Sequence, residues 1–248
     1  MFLTRISDPI YDAFLTLAYP QPCALCKKNV EKRRFGAACA DCWASTEIFT
    51  GNETLCWKCG AIAPGLLAHV DAETVRCHRC DTQLFESARA CGFYEGALRE
   101  SVLLLKRQPT LSDYLVELLI RVAQRPPLDA TTRIVPVPLH AERERRRGFN
   151  QAVIIARAVG SKLRLVVDDV SLVRVGGSEK YRAGLDVKGR HDTVANAFVV
   201  RIPQLIADEK VLLIDDVFTT GATASSCTGA LLKAGAKAVQ VLTIARPR

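Results

Sequence analysis

The sequence predicts an α/β protein: a mostly parallel sheet with covering helices, joined to a small cysteine-rich N-terminal module. Three observations predict it. Four C-x-x-C pairs occur before residue 81. From Ala88 onward, short apolar runs alternate with helical patterns, which is how βαβ units and their parallel sheets read. One aliphatic run, Val211 to Ile214, is followed at once by two aspartates and a loop of threonines and glycine. The 248 residues, 49% hydrophobic, are enough for one sizeable core or two smaller ones, and they exclude wholesale disorder.

In chain order, residues 1–19 place Phe2, Leu3, Ile6, Ile10, Phe14, Leu15 and Leu17 at roughly helical spacing. That predicts a short helix docked on the body. Asp8, Pro9 and Asp12 interrupt what would have to be the apolar region of a secretory signal. No run reaches the roughly 18 unbroken apolar residues of a membrane span, so the expected compartment is the cytoplasm. Ten cysteines in such a chain then argue against a disulfide framework.

Residues 20–87 are poor in periodic apolar runs and rich in Cys, Gly and Pro. The pairs are Cys23/Cys26, Cys39/Cys42, Cys56/Cys59 and Cys77/Cys80. Each C-x-x-C turn presents two thiolates, and two pairs close one tetrahedral four-cysteine site. Four pairs therefore predict two structural Zn2+ sites in a double zinc ribbon, closed and without an open coordination position. Spacing leaves two pairings open: sequential (first with second, third with fourth) or interleaved. A thioredoxin-like redox motif needs one pair beside a βαβ unit, not four in a coil-rich segment. His78 reads as a solvated neighbour, and Cys91 and Cys227 as small core residues.

Residues 88–248 carry the sheet. Strands are expected at 134–137, 165–167, 170–175, 197–202, 211–214 and 238–245, with helices over about 111–124, 150–163 and 222–234. Asn150 is placed to cap its helix, and Gly235 to end the last one. The stretch 174–195 is polar, basic and aperiodic, as a functional lid or a long loop is.

Ligands of open α/β sheets bind beyond the carboxyl ends of strands. Asp215 and Asp216 are expected there, as acceptors for a sugar diol. Thr219, Thr220, Gly221, Ala222 and Thr223 then open a helix whose N–H groups and hydroxyls can cradle a phosphate. A diol at one end and a phosphate at the other is a ribose 5-phosphate. The alternatives are a capped surface turn and an aspartate pair that binds magnesium for phosphotransfer.

These residues carry a resemblance. "VLLIDDVFTTGAT" (211–223) resembles the phosphoribosyl-pyrophosphate (PRPP) motif of type I phosphoribosyltransferases. "VPVPLHAERERRRGFNQA" (135–152), "FYEGALRESVLLLKR" (93–107) and the double ribbon resemble the ComF family of competence-associated phosphoribosyltransferase-like proteins. The resemblance implies a type I phosphoribosyltransferase-like domain over 88–248 that binds PRPP with Mg2+. By the same resemblance, Asp215 and Asp216 hold the ribose hydroxyls and are the catalytic candidates. Residues 219–223 hold the 5′-phosphate, and Val135 to Pro138 lie where the pyrophosphate loop does. One departure is in the 174–195 stretch: it keeps Leu185 and Arg190 but has Glu179, Arg182 and Thr193 where the family usually has Thr, Gln and Asn.

The net charge of +8 favours anionic partners. Arg143, Arg145, Arg146 and Arg147 read first as a solvated face. They also follow a strand on the ligand side of the sheet, where Arg145, Arg146 and Arg147 are candidates for pyrophosphate or a nucleic-acid backbone. Lys106 is a further candidate, although a lysine ending a helix also suits the helix dipole. The readings are a phosphoribosyltransferase with an unidentified acceptor, a single-stranded-DNA-handling factor acting with a DNA-uptake helicase, and a PRPP-sensing adaptor without catalysis. A peripheral position at the inner face of the membrane and a homo-oligomer are compatible with each.

Overall fold

The computed structural model describes residues 20–51, 53, 56–61, 77, 80–175 and 197–248. The expected N-terminal helix, His78 and nearly all of the 174–195 stretch lie outside the described residues. Seven strands are described: β1 (Ser87–Phe93), β2 (Arg133–Pro136), β3 (Val166–Val167), β4 (Leu172–Arg174), β5 (Phe198–Val200), β6 (Lys210–Val217) and β7 (Ala238–Arg246). The helices are α1 (Ala40–Ala44), α2 (Gly96–Leu105), α3 (Asp113–Ala123), α4 (Ala141–Arg147), α5 (Gln151–Leu163) and α6 (Ala222–Lys233).

Five strands form one all-parallel sheet in the order β1-β7-β6-β2-β3. This is the mostly parallel sheet the sequence predicts. β6 is central, and both of its faces are apolar. Val211 and Leu213 pack into one core with Phe85, Cys227 and Leu231. Leu212 and Ile214 pack into the other with Leu98, Leu119, Ile155 and Val159. Strand side chains alternate between faces, so a strand buried on both sides reads as the unbroken aliphatic run seen in the sequence. Two strands depart from expectation. β4 and β5 form a separate antiparallel pair rather than joining the sheet.

Helix ends follow local chemistry. Ser112 Oγ accepts from Leu115 N at 3.3 Å to start α3. Asn150 Oδ1 accepts from Ala152 N at 2.9 Å to start α5, while its Nδ2 donates to Val137 O at 3.0 Å. Asn150 thus joins the end of β2 to the start of α5. The helix α4 was not expected from the sequence, which reads there as a run of alternating charge. His140 caps it through Glu142 N, and left-handed Gly148 (φ 83°) ends it.

The cysteine modules are built onto the sheet. Cys23, Cys39 and Trp43 share the core that holds α2, α3 and α5. Cys56, Cys59 and Cys80 share the core that holds α6. The two modules therefore pack against opposite faces. Between them they cover the β1 edge: Phe49 N donates to Cys91 O at 2.8 Å, and Ala88 N to Lys58 O at 2.6 Å. An open strand edge invites pairing with another chain, and here the modules occupy those hydrogen-bonding groups.

Candidate phosphate and metal sites

In this sheet, the connection after β2 leads outward to β3, whereas the connection after β6 leads the other way, to β7. A ligand crevice opens where adjacent strands connect in opposite directions. The ends of β2 and β6 are that point, and the loop after β6 carries the acidic–hydroxyl motif.

The sequence expects both carboxylates just beyond the strand. Instead β6 continues through Val217, which pairs with Ala245. Asp215 and Asp216 therefore lie within the extended strand, and adjacent strand residues face opposite sides. Asp216 follows Leu212 and Ile214. It is buried, at 7% exposure, and takes Lys106 Nζ at 3.1 Å and Gln151 Nε2 at 3.5 Å. Arg147 donates to Gln151 Oε1, so a polar chain runs from α4 through α5 to the strand end. Asp215 follows Leu213. It lines a small cavity with Phe218, Thr219, Gly221, Thr223 and Thr243. Burial, with Asp216 next to it, pushes its carboxyl up to about 8, against the opposing pull of the Asp216 N–H and Lys106.

The loop then turns through exposed Thr219 and Thr220 to Gly221 at φ 81°. Gly221 is required there. A Cβ would stand 2.9 Å from Phe218 Cζ and 3.0 Å from Gln83 Oε1, in a left-handed backbone. Gly221 begins α6 and offers no side chain to cap it; the first-turn N–H groups have no helical acceptor, and that of Ala222 reaches Thr220 Oγ1 at 3.4 Å. Such a helix start attracts anions.

Arg145 and Arg146 are exposed on α4 and have no ion-pair partner among the described residues. Arg147 is turned toward Gln151. Lys106 is held by Asp216, so the structure joins it to the acidic centre rather than leaving it a free cation. Sequence reasoning missed three participants: Gln151 as a partner of Asp216, and Gln83 and Phe218 behind the loop. The signature stretch 135–152 contained Gln151, but no local pattern connects Gln83 with residues 137 positions away.

The cysteines resolve the pairing. Cys23, Cys26, Cys39 and Cys42 form one cluster, and Cys56, Cys59, Cys77 and Cys80 another, the sulfurs in each within 4.8 Å of one another. This is the sequential arrangement. The sulfurs of Cys23 and Cys42 are 3.7 Å apart, those of Cys26 and Cys39 3.6 Å, and those of Cys56 and Cys80 3.7 Å. A tetrahedral zinc with Zn–S of about 2.3 Å places its sulfurs about 3.8 Å apart, so the residues fit the ion. The thiol chemistry agrees. Burial opposes the Cys23 thiolate, but the Cys26, Cys39 and Leu25 N–H groups outweigh it and hold the thiol down to about 6. Burial and the neighbouring sulfurs push Cys42 up to about 12. Burial opposes the Cys56 thiolate too, yet N–H groups of Cys59 and Cys77 hold it down to about 7, whereas burial and Cys59 raise Cys80. Four thiolates cannot gather without a cation to neutralise them. Cys91 and Cys227 are wholly buried in the two cores.

Among the described residues, no helix is long and apolar enough to cross a membrane. No family model matches the chain. It is similar to DNA utilization protein YhgH of Escherichia coli, 28% identical over 238 residues that span 93% of this chain and 99% of that protein. Competence protein F of Haemophilus influenzae is 34% identical over 134 residues, 53% of this chain and 58% of that one. Competence protein ComFC of Bacillus subtilis is 23% identical over 229 residues, 82% and 89% of the two chains. Among solved structures, glutamine PRPP amidotransferase of B. subtilis overlaps 52% of this chain and 25% of its own, with TM-score 0.34 and 14% identity.

Proposed function

Starting from this chain's kinship with the ComF-type competence proteins, we propose that it binds Mg2+–PRPP at the end of β6 and works in the uptake or utilisation of DNA. The observation that carries the ligand reading is one juxtaposition: Asp215 and the glycine-started helix line the same cavity at the sheet's switch point. The 5′-phosphate sits on residues 219–223. The ribose hydroxyls lie along the strand end at Asp215 and Asp216. A magnesium ion bound with the ligand's pyrophosphate would supply charge neutralisation there. Arg145 and Arg146, exposed on α4, are the candidates for the pyrophosphate.

As an enzyme the protein would break the bond between ribose C1 and the pyrophosphate oxygen, form a bond from C1 to an acceptor nucleophile, and release pyrophosphate with the electron pair. The cations stabilise the charge that develops on the departing oxygens. The functional segments in this reading are an N-terminal segment 1–19, a double zinc ribbon 20–87 and a phosphoribosyltransferase-like domain 88–248. The test is thermal. Mg2+–PRPP is expected to raise the melting temperature, and Asp215→Ala with Asp216→Ala to remove the rise. No shift in the parent protein refutes PRPP binding. A screen of bases, nucleotides and nucleic acid for PRPP-dependent pyrophosphate release identifies the acceptor, and release with none of them leaves a sensor.

A second reading, a single-stranded-DNA adaptor that uses PRPP without consuming it, is favoured by the exposed arginines of α4. Its affinity is expected to fall steeply with salt, by a slope of roughly 0.7 per phosphate contact. Arg145→Ala with Arg146→Ala should flatten that slope. Salt-independent or absent binding refutes the DNA reading.

A further inference from the structure

The second cysteine module lies against the phosphate loop, and its contacts there are specific. Cys80 O accepts from Gln83 N at 3.1 Å, so a single tight turn fixes Gln83 relative to the metal ligand. Gln83 Nε2 then reaches Thr220 O at 3.5 Å, across 137 residues of chain. Leu84 N donates to Ser225 Oγ at 3.0 Å in the first turn of α6. Phe85 meets Phe218 edge-on, with ring centroids 5.7 Å apart. Arg246 closes the same junction from β7: it donates to Cys59 O at 2.5 Å, and its guanidinium stands 5.7 Å from the centre of the Phe218 ring.

Among the described residues the first module meets α2 and α3 instead: Thr46 Oγ1 accepts from Ala97 N at 2.9 Å, and Trp43 and Phe35 meet the Tyr114 ring.

The loop needs backing. It must hold a left-handed glycine at the start of α6, where the first-turn N–H groups have no helical acceptor. Gln83 Oε1 is buried without a hydrogen-bond partner beside Gly221. An unmet buried acceptor is costly and persists where the surroundings impose it.

We propose that the second four-cysteine cluster is the back wall of the phosphate site: its metal fixes the Cys80–Gln83 turn, and Gln83 is a positioning residue that holds the Thr219–Gly221 turn in its anion-binding form. The ligand assignment rests on the PRPP reading above, but the coupling between cluster and loop does not. The two are tested separately.

The first arm uses hydrogen–deuterium exchange on the full chain without any nucleotide. The Cys56→Ser/Cys80→Ser variant is compared with the Cys23→Ser/Cys42→Ser variant and with stepwise chelation of the parent. Protection of the Leu84 and Ser225 amides, which donate to Ser225 Oγ and Gly221 O, is expected to be lost in step with metal in the second cluster while β6 and β7 stay protected, and to survive loss of metal from the first. Unchanged protection of these two amides with the second cluster empty overturns the coupling. If a serine variant fails to fold, the chelation series decides.

The second arm measures Mg2+–PRPP binding by calorimetry to the parent, Gln83→Ala and Gln83→Asn, all metal-loaded. Gln83→Ala is expected to weaken binding about three- to tenfold, the range that one hydrogen bond spans, at unchanged zinc content and melting temperature. Asn is expected to recover part of the loss. Equal affinity in all three overturns the role of Gln83. Absence of binding in the parent refutes the PRPP reading and leaves the exchange result to decide the coupling.

Discussion

Replacing Asp215 by Asn should change how stability depends on pH. Burial and the adjacent Asp216 push the Asp215 carboxyl up to about 8, whereas an aspartate in an unfolded chain ionises near ~3.9. Between those values the folded protein keeps a proton that the unfolded chain has released. The stabilisation is therefore complete below ~4 and is lost as pH rises toward about 8. One unit corresponds to about 1.4 kcal/mol. Allowing for partial ionisation at the upper end, the loss between pH 6 and 8 is about 2 kcal/mol from this group alone. Asn has the same shape and still accepts from the Asp216 N–H, which now bonds Asp215 Oδ1 at 2.8 Å. Asp215→Asn should thus remove about 2 kcal/mol of pH dependence without disturbing the strand. The assay is urea denaturation of parent and variant at pH 6, 7 and 8, with zinc saturating and ionic strength fixed. Lower pH is avoided because protonation of the cysteine thiolates releases metal. A parent–variant difference that stays constant across the window, or that moves in the parent's favour as pH rises, refutes the reasoning.

Three further outcomes are expected. Lys106→Met leaves Asp216 buried without its cation. Because the Lys106 side chain is 33% exposed, solvent limits the cost to about 1–2 kcal/mol, and a double-mutant cycle with Asp216→Asn in urea should return at least half of it. Gly221→Ala forces a side chain into the left-handed region against Phe218 and Gln83. It should cost about 1–3 kcal/mol and abolish the thermal shift with Mg2+–PRPP, and a variant that keeps the parental shift contradicts the close-packed loop. Elemental analysis should find two zinc ions per chain for the two four-cysteine clusters, and their removal should lower the melting temperature. A metal-free protein of parental stability contradicts structural metal sites.

Much of this is written locally in the chain. The four C-x-x-C pairs were legible because each turn binds metal through residues three apart. The central strand was legible because burial on both faces demands an unbroken aliphatic run. The Gly221 loop was legible because its conformation needs residues without side-chain conflict. Asn150 announced the start of α5 for the same local reason. In contrast, α4 was hidden: its residues have no apolar face, and only the His140 and Gly148 ends define it.

What the sequence by itself determined is therefore the set of parts: two cysteine clusters, a parallel sheet, an acidic strand end and an anion-seeking helix start. Each follows from contacts a few residues apart or from strand and helix periodicity. Only the tertiary structure decided how they relate. It paired the cysteines in sequence order, split Asp215 and Asp216 onto opposite faces by extending β6 through Val217, turned Lys106 and Gln151 onto Asp216, and set the second cluster behind the phosphate loop. Those relations depend on strand order and on which core each helix enters, and contacts between residues far apart in the chain leave no periodic trace in it.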